Sequence, residues 1–508
     1  MAEAKAKSKS FSFPTAYTVL FVLSLIMVSL TWVINSGMYS KIRFDSITSQ
    51  FHVTHPDQSV EVYPGSQGSL DELNVKLNVS SFTNGEITTD IGIPGTYTVV
   101  ESNPQQLMAA LEAPIEGMYS AIDVVFFVLV IGGFLGVVNA SNTLNAGIQT
   151  LARNMVGREK WLIIVVTSLV SLGGTTFGMY EETFAFYPIL IPIFVAAGYD
   201  SLTGMAAIFI GSFIGCTFST INPFSTIIAS SAAGINWADG IVFRSLLLVV
   251  STALGITYLL RYAEKVKADP SLSIVADRMD SFRQKMMGQQ TGGAELVLSG
   301  RQKAVLGVFA ATFGVMVYGV ITQGWWFKEM TTLFLGASIV VAIVSRIDEK
   351  TYVTELVKGA NDLLGVAMII AIAKGIGVIM NEGMIGDTIL FAGSELVAGM
   401  NKGVFVLTMM GLFAGIYLLV PSSSGMALVA MPIMAPLADS VGIPREHIVN
   451  AFMYGIGLMC AITPTGLTLP ALAMADVPYD RWLKFIMPLL LVLIAITCVS
   501  MLVYLYAF

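Results

Sequence analysis

The sequence predicts an all-α polytopic membrane protein that contains two inverted repeats and carries a small strand-rich insertion outside the membrane. Three observations lead to this prediction. Of 508 residues, 55% are hydrophobic and only 12% are charged, which is about half the charged fraction of soluble domains. Apolar segments recur along most of the chain, and polar breaks interrupt them in the same order in each half. This composition excludes both a soluble globular protein and a disordered one.

The first element is an N-terminal membrane segment. Three lysines, Lys5, Lys7 and Lys9, precede an uncharged stretch at 10–40 that is long enough to cross the hydrocarbon core. A cleavable signal peptide is the alternative, but the stretch is too long for one and lacks a clear cleavage site. We therefore expect residues 1–35 to form a cytoplasmic tail and the first transmembrane helix.

The second element, residues 36–115, is a polar insertion. Its nine acidic residues outnumber its three basic ones, and the segments at 60–63 and 96–99 alternate in polarity, as strands do. We expect a strand-rich domain outside the cytoplasm. The two histidines His52 and His55 could bind a metal ion only weakly because no third ligand is evident, so solvated side chains are the preferred interpretation.

Two transmembrane regions follow, at 116–260 and 304–508, the second of which also includes connecting helices. The segment between them, 261–303, has eight basic and five acidic residues. The positive-inside rule places this linker in the cytoplasm, together with the N-terminus and the loop at 153–160. The acidic insertion then lies outside, and we predict a multi-pass protein of the bacterial inner (cytoplasmic) membrane.

The two halves share matched interruptions. A small polar tip, a Gly-Met pair and an apolar arm with two prolines occur at 172–198 and again at 419–442. A further polar break follows in each half, at 216–226 and 460–470. We interpret each half as a re-entrant hairpin followed by an unwound helix, because repeats of this kind place binding sites near the midplane. Ordinary helices kinked by glycine and proline are the alternative.

Three charged residues are the strongest candidates for a site. Glu181 and Glu182 lie in the first predicted hairpin, where an ionisable side chain is energetically unfavourable and therefore indicates function. One of them could pair with a cationic substrate or Na⁺, or could bind a proton. Adjacent helical residues point about 100° apart, so we expect one to face a cavity and the other to support the hairpin. Lys374 lies too deep to snorkel, so it is expected to pair with a glutamate or a substrate carboxylate. Structural ion pairing is the alternative for all three.

Hydroxyl and amide side chains cluster at the same breaks. Na⁺ prefers oxygen ligands, and the N-termini of half-helices favour anionic groups. The alternative is that many of these hydroxyls only bond to backbone carbonyls freed by the breaks. Besides the three charged residues, the predicted substrate-binding residues are Thr176, Asn222, Ser422, Ser423, Ser424, Thr463 and Thr465. The predicted ion-binding residues are Thr175, Ser219, Thr220, Gly425 and Thr468.

The sequence offers little to support soluble-enzyme chemistry. It has no P-loop, no dinucleotide-binding glycine pattern and no CxxC pair, and its three cysteines lie in apolar stretches that imply no disulfide framework. We therefore expect neither an enzyme nor an ATP-driven pump, no cofactor or metal apart from a coupling Na⁺ or H⁺, and no nucleic-acid partner. Trp325 and Trp326 beside Lys328 are interpreted as anchors at the membrane interface.

Several segments resemble a known family. They are 177–183 with the Phe-Tyr-Pro at 186–188, the Pro-Ser-Ser-Ser-Gly at 421–425, and 462–466. In these segments the chain resembles the YfcC-like family of the ion transporter superfamily, which groups C4-dicarboxylate anaerobic carriers with arginine/ornithine-antiporter-like proteins. The resemblance covers 119–507 and implies an elevator-type secondary transporter, often a homodimer, with a scaffold domain and a mobile transport domain. It does not explain the insertion.

These observations together predict an ion-coupled symporter or antiporter of a small charged organic solute, embedded in a lipid bilayer. Two carboxyl groups at one hairpin and hydroxyls at the other suit an amino acid, and the resemblance adds arginine/ornithine exchange. The alternative is a Na⁺- or H⁺-coupled carrier of C4-dicarboxylates, with Lys374 near the anion. A channel is disfavoured by two closed hairpins, and a sensor by the shortness of the linker.

Overall fold

The computed structural model describes residues 14–75, 77–83, 90–141, 143, 150, 157–286, 299–323, 325–397, 399–419 and 421–507. Three predicted features fall partly outside these residues: the N-terminal tail at 1–13, the loop at 151–156 and the linker at 287–298.

Helices dominate the described part of the chain. The helices of the N-terminal half are α1 (Ala16–Val33), α2 (Gln67–Glu72), α3 (Val79–Thr83), α4 (Leu107–Ser120), α5 (Ile122–Ala140), α6 (Lys160–Phe177), α7 (Tyr187–Ala196), α8 (Ser201–Thr217), α9 (Ile228–Ala232) and α10 (Ile241–Ala268). Those that follow are α11 (Met279–Met286), α12 (Gly300–Gln323), α13 (Phe327–Ser345), α14 (Glu349–Asp362), α15 (Leu364–Glu382), α16 (Gly386–Val397), α17 (Lys402–Leu419), α18 (Ser423–Val441), α19 (Glu446–Cys460), α20 (Thr468–Met474) and α21 (Tyr479–Ala507).

Nine of the described helices are long and apolar enough to cross a membrane: α1, α5, α6, α10, α12, α13, α15, α17 and α21. Three more apolar helices, α7, α8 and α18, have apolar stretches of only 10 to 17 residues. The short helices lie beside the predicted breaks. A multi-pass membrane architecture is therefore confirmed.

The described residues of the insertion form six strands, in the region that the sequence predicts as strand-rich. They are β1 (Gly37–Met38), β2 (Lys41–Asp45), β3 (Gln50–Thr54), β4 (Val60–Pro64), β5 (Ile91–Gly92) and β6 (Thr98–Val99). One antiparallel sheet has the order β4-β3-β2-β5, and β1 pairs with β6. Ile42, Phe51, Val53 and Ile91 are fully buried in the larger sheet, so its alternating residues form a small core.

The insertion is attached to α16 and to the connection that precedes it. Tyr97 stacks on Phe391 with 4.2 Å between ring centroids, and the Tyr39 N–H donates to Asp387 Oδ2 at 3.1 Å. Strand β5 packs against α18, where a Cβ on Gly92 would lie 3.6 Å from the Val429 carbonyl oxygen. The insertion thus packs directly against the membrane helices.

Small residues let several long helices approach closely. A Cβ on Gly117 of α4 would lie 1.9 Å from the Ala371 carbonyl oxygen of α15, and one on Gly132 of α5 would lie 2.5 Å from the Gly359 carbonyl oxygen of α14. Contacts this close need a residue without a side chain, as is common between membrane helices.

Two helix–break–helix units occur, α6 with α7 and α17 with α18. The first begins and ends near the C-terminal end of α10. Glu159, which precedes α6, pairs with Lys267 at 2.7 Å, and the Lys267 ammonium also lies over the ring of Tyr199, which follows α7. Lys160 pairs with Glu264. Both ends of this unit therefore lie at one end of α10.

The second unit is attached near the opposite end of α10. Lys402 at the start of α17 donates to the carbonyl oxygen of Gly442, which follows α18, at 2.8 Å. Arg244 in the first turn of α10 donates to Asn450 Oδ1 of α19 at 3.3 Å. Helix α10 has 28 residues and is therefore about 42 Å long, so the two units approach the middle of the molecule from opposite ends.

The linker forms ion pairs with the connection between α20 and α21 and with the start of α21. Arg278 lies 3.1 Å from Asp476, and Arg481 pairs with Asp277. The hydrogen bond from Arg481 lowers the pKa of Asp277 below its ordinary value. The predicted domain limits at 115 and 260 fall inside α4 and α10, because both helices continue past the point where the sequence changes in polarity.

Candidate functional site

The first break follows α6 at Gly178, which has a φ of +75°. This left-handed conformation favours glycine. A Cβ there would also lie 2.6 Å from Asn222 Oδ1 and 2.9 Å from the ring of Phe224. The chain then makes a short 3₁₀ turn at Glu181–Ala185 before α7 begins. Gly178 thus lets the turn that carries both glutamates lie against the second break of the same half.

That second break separates α8 from α9. Asn222 Oδ1 accepts a hydrogen bond from the Phe224 N–H at 2.8 Å and caps a π-helical turn at Pro223–Ile227. Thr175 links the two breaks, because its hydroxyl accepts from the Thr220 N–H at 2.9 Å and its carbonyl from the Ile221 N–H at 3.2 Å.

The C-terminal half has a similar pair of breaks. One lies between α17 and α18, and the other between α19 and α20. The Thr465 hydroxyl donates to the Leu418 carbonyl at 3.0 Å, and so joins them. Thr463 lies behind it, 2.9 Å away between hydroxyl oxygens. In each half, a threonine therefore links the end of the first helix of the unit to the second break.

A cysteine connects the breaks of one half to those of the other. The Cys460 sulfur at the end of α19 lies within hydrogen-bond distance of the Tyr180 hydroxyl, and lies 3.4 Å from the Tyr417 hydroxyl. Tyr180 belongs to the first break of the N-terminal half, and Tyr417 to the last turn of α17. The four breaks consequently meet in one region of the molecule.

A cavity of about 220 Å³ lies where the breaks meet. Its wall is formed by the 3₁₀ turn, by α15, by the start of α18 and by the segment at 465–467. Glu181 Oε1 lies 3.6 Å from Lys374 Nζ inside this cavity. The Glu181 and Lys374 side chains keep 25% and 34% of their exposed surface, so both ends of the ion pair can be reached by a bound solute.

The two adjacent glutamates have different surroundings, as the sequence predicts. Glu181 lies beside Lys374, whereas Glu182 is only 5% exposed and accepts a hydrogen bond from the Tyr180 N–H at 3.1 Å. Its carboxylate therefore stabilises the turn and also contributes to the cavity wall.

The start of α18 forms a part of the cavity wall that favours negative charge, in contrast to the part with the two glutamates. Ser422, Ser423 and Ser424 line the cavity, and the Ser422 side chain does not cap the helix. The first N–H groups of a helix have no partner within it, and the helix dipole makes this end positive. The cavity therefore combines acidic side chains with a helix end suited to an anion.

Some of the predicted substrate-binding residues line the cavity and others do not. Those that line the cavity are Glu181, Glu182, Lys374, Ser422, Ser423, Ser424 and Thr465. Asn222 lines a smaller adjacent cavity together with Tyr180, Tyr417 and Cys460. Thr463 is buried behind Thr465. The Thr176 hydroxyl donates to the Leu172 carbonyl at 2.7 Å within α6.

The predicted ion-binding residues lie mainly within the breaks themselves. Thr175 contacts Thr220 as described, and the Ser219 hydroxyl lies 2.5 Å from the Thr226 hydroxyl. The Thr468 hydroxyl donates to the Cys460 carbonyl at 2.9 Å. Gly425 lines a separate, outer cavity. Among the described residues, no group of three or more His, Cys, Asp and Glu side chains could hold a metal ion.

Aromatic residues of the cavity wall are absent from the sequence-based prediction. Tyr180, Tyr417, Phe224 and Trp326 all line it. Trp326, interpreted from the sequence as an interfacial anchor, packs against Phe224 with 5.0 Å between ring centroids. Tyr180 directly precedes Glu181, and Phe224 lies two residues after Asn222, which is the signal that could have identified these two.

A family profile and one named relative both indicate a transporter family. The sequence profile of the family described as C4-dicarboxylate anaerobic carrier, DcuC, matches residues 13–506. A Haemophilus influenzae protein described as uncharacterized is 43% identical over 488 residues, covering 96% of each chain. The Escherichia coli protein YfcC, named as a candidate basic amino acid antiporter, is 29% identical over 500 residues, covering 94% of this chain and 93% of its own.

Two solved transporter structures are similar at lower levels. The YdaH transporter of Alcanivorax borkumensis has a TM-score of 0.39 and 16% identity, covering 97% of this chain and 98% of its own. MtrF of Neisseria gonorrhoeae, from a class of antimetabolite efflux pumps, has the same two values, with coverage of 98% and 96%.

Proposed function

The chain belongs to the C4-dicarboxylate anaerobic carrier family, DcuC, and we propose that it is a secondary active transporter of a small amino acid with a cationic group, such as arginine or ornithine. The family is one of transporters, so the protein is a membrane transporter rather than an enzyme. The finer proposal rests on one observation: a single cavity is lined both by Glu181 and Glu182 and by the start of α18.

This arrangement suits a solute that carries both charges. The α-carboxylate would lie at the first N–H groups of α18, where a negative charge is favoured. The cationic group would lie at Glu181, where its N–H groups would donate charge-assisted hydrogen bonds to the carboxylate. The name of the E. coli relative supports the same solute class.

A C4-dicarboxylate is the alternative substrate, and the family description favours it. Lys374 and the start of α18 would then each hold one carboxylate. Glu181 and Glu182 oppose this arrangement, because like charges in one cavity repel unless a proton neutralises one of them. We therefore place the amino acid first.

The coupling ion is Na⁺ or H⁺ in this proposal. The hydroxyl groups at the breaks, including Thr175, Ser219, Thr220 and Thr468, would supply oxygen ligands to Na⁺, with the backbone of Gly425. Glu182 would instead be the proton acceptor if the coupling ion is H⁺. Replacing external Na⁺ with choline at constant pH separates the two.

We also propose alternating access by two inverted repeats in a homodimer of the bacterial inner membrane. Attachment of the two helix–break–helix units to opposite ends of α10 supports inverted orientation, since re-entrant hairpins of opposite repeats start from opposite sides. The family resemblance is the support for elevator movement and dimerisation. The basic excess at 261–303 supports a cytoplasmic linker and an outer insertion.

Counterflow in proteoliposomes tests the proposed function. Purified protein is reconstituted into vesicles loaded with unlabelled arginine, and entry of external labelled arginine is followed, with ornithine, succinate and malate as competitors. We expect accumulation that arginine and ornithine inhibit. Counterflow of labelled succinate into vesicles loaded with succinate, without any counterflow of arginine, would establish the alternative substrate. No counterflow of either solute in vesicles loaded with it would overturn both.

A further inference from the structure

A second cavity lies between the insertion and the start of α18. This outer cavity has a volume of about 650 Å³, and its wall includes Arg43 of β2 and Asp90, which directly precedes β5. It adjoins the inner cavity of about 220 Å³ that contains Glu181. The insertion therefore does more than cover membrane helices, because it brings two charged side chains to the region of the site.

The register of the sheet places these two charges side by side. Strands β2 and β5 are antiparallel, with Lys41 opposite Gly92 and Ile42 opposite Ile91. Continued one position beyond the end of this pairing, the register would set Arg43 opposite Asp90, and both residues line the outer cavity. Directly opposed residues share one face of a sheet, and this face is the one that Gly92 turns toward α18.

Both charged groups are available to a ligand. Arg43 and Asp90 are exposed, and neither side chain forms an ion pair or a hydrogen bond with another described residue. Their isoleucine neighbours Ile42 and Ile91 are fully buried on the opposite face. The sheet core thus fixes the backbone at the two positions while leaving both charged groups exposed.

The outer cavity adjoins the inner one. Four residues line both: Phe224, Trp326, Ser422 and Ser424. The rings of Phe224 and Trp326 pack together, so this aromatic pair and the serines at the start of α18 form the boundary between the cavities. A solute in the outer cavity therefore lies directly beside the wall of the inner one.

We propose that the outer cavity is a first binding site for zwitterionic solutes, in which Arg43 binds the carboxylate and Asp90 binds the ammonium group. The pair then determines specificity before the solute passes Phe224 and Trp326. This inference rests on the proposed function for the identity of the solute. It assigns to the insertion a role that neither the family nor the inner cavity explains.

The first test measures charge in the outer cavity without any transport. Ser422→Cys places a thiol at the boundary, and its rate of modification is measured with a trimethylammonium and with a sulfonate methanethiosulfonate reagent. The same protein without Ser422→Cys gives the background from the native cysteines. We expect Arg43→Gln to slow the sulfonate reagent and Asp90→Asn to slow the trimethylammonium reagent, each by about threefold to fivefold at low salt.

Matched controls come from the linker. Arg283→Gln and Asp280→Asn remove the same charges from an exposed pair far along the chain, and should leave both modification rates unchanged. If Arg43→Gln and Asp90→Asn also leave both rates unchanged, the outer cavity is not the route to Ser422 and the inference is overturned.

The second test measures uptake of labelled arginine by proteoliposomes. We expect Arg43→Gln and Asp90→Asn each to raise KM about tenfold while leaving the maximal rate within twofold of the unaltered protein. An unchanged KM would overturn binding at this pair, even with altered modification rates. Failure of the unaltered protein to take up arginine would contradict the proposed function alone. The modification rates of the Ser422→Cys protein would still show whether Arg43 and Asp90 face the path to the inner cavity.

Discussion

Lys374 of α15 and Glu181 of the 3₁₀ turn form an ion pair, with 3.6 Å between Nζ and Oε1, inside a cavity where four breaks in the helices meet. The two residues come from different halves of the chain. Their pairing joins α15 to the first helix–break–helix unit, and both side chains remain partly exposed to a bound solute.

A double-mutant cycle should show that this pair acts together in binding. Glu181→Gln is expected to weaken arginine binding about tenfold, because it removes the carboxylate that faces the cationic group. Lys374→Met is expected to weaken it about tenfold, because Glu181 then loses the partner that orients it in the cavity. The double variant should lose less than the two effects combined, with a coupling of about 0.5–3 kcal/mol. Dissociation constants of the four proteins provide the measurement.

A surface pair of similar geometry provides the control for this cycle. Lys358 lies 3.7 Å from Glu355 on α14, and the Lys358 side chain is 67% exposed. Lys358→Met and Glu355→Gln should leave arginine binding unchanged, alone or together, because exposed pairs contribute little. Additive losses at Glu181 and Lys374 would show that their proximity has no role in binding.

A negative charge at the start of α18 should block the binding of carboxylates. Ser424→Glu places a carboxylate where the helix dipole favours one, so the protein should remain folded while its affinity for arginine falls at least about tenfold. Ser424→Gln has a similar size without the charge and should retain most of the affinity. Equal affinities of the two variants would show that no solute carboxylate lies there.

Gly178 should be required for the first break. Gly178→Ala forces a side chain into a positive φ and toward Asn222 and Phe224, so we expect a lower thermal midpoint and loss of counterflow. Gly377→Ala in α15 is the comparison, because a Cβ there meets no heavy atom within 4 Å and alanine favours a helix. Similar midpoints for both variants would argue against a strained break.

The sulfur of Cys460 should stabilise the contact between the two halves. Cys460→Val leaves the Tyr180 and Tyr417 hydroxyls without this partner, at a cost of about 1–3 kcal/mol for a buried polar group. Cys460→Ser keeps a partner and should melt at a higher temperature than Cys460→Val. The two thermal midpoints, measured in the same detergent, test this expectation, and the reverse order would refute it.

Much of the site could be predicted from the sequence, because charge in apolar segments is conspicuous. Glu181, Glu182 and Lys374 were identified in this way, and all three line one cavity. The roles of the hydroxyl side chains are harder to assign from the sequence. A threonine that bonds to a backbone carbonyl freed by a break and a threonine that binds a solute occur beside the same breaks. Thr176 bonds within its helix, whereas Thr465 faces the cavity.

Features that depend on distant contacts could not be predicted. Trp326 lies in the short connection between α12 and α13, and only the tertiary packing brings it to Phe224. The proximity of Arg43 and Asp90 depends on strand register, which the short strand β5 does not reveal in the sequence. The attachment of the helix–break–helix units to α10 likewise arises from ion pairs between segments far apart in the chain.

Equilibrium binding of labelled arginine to the purified protein measures whether the cavity beside Glu181 binds a cationic amino acid. We expect saturable binding at one site per chain, displaced by ornithine but not by succinate, and weakened at least about tenfold in Glu181→Gln but not in Glu355→Gln. Unaltered affinity in Glu181→Gln, or displacement by succinate alone, would contradict binding of a cationic amino acid beside Glu181.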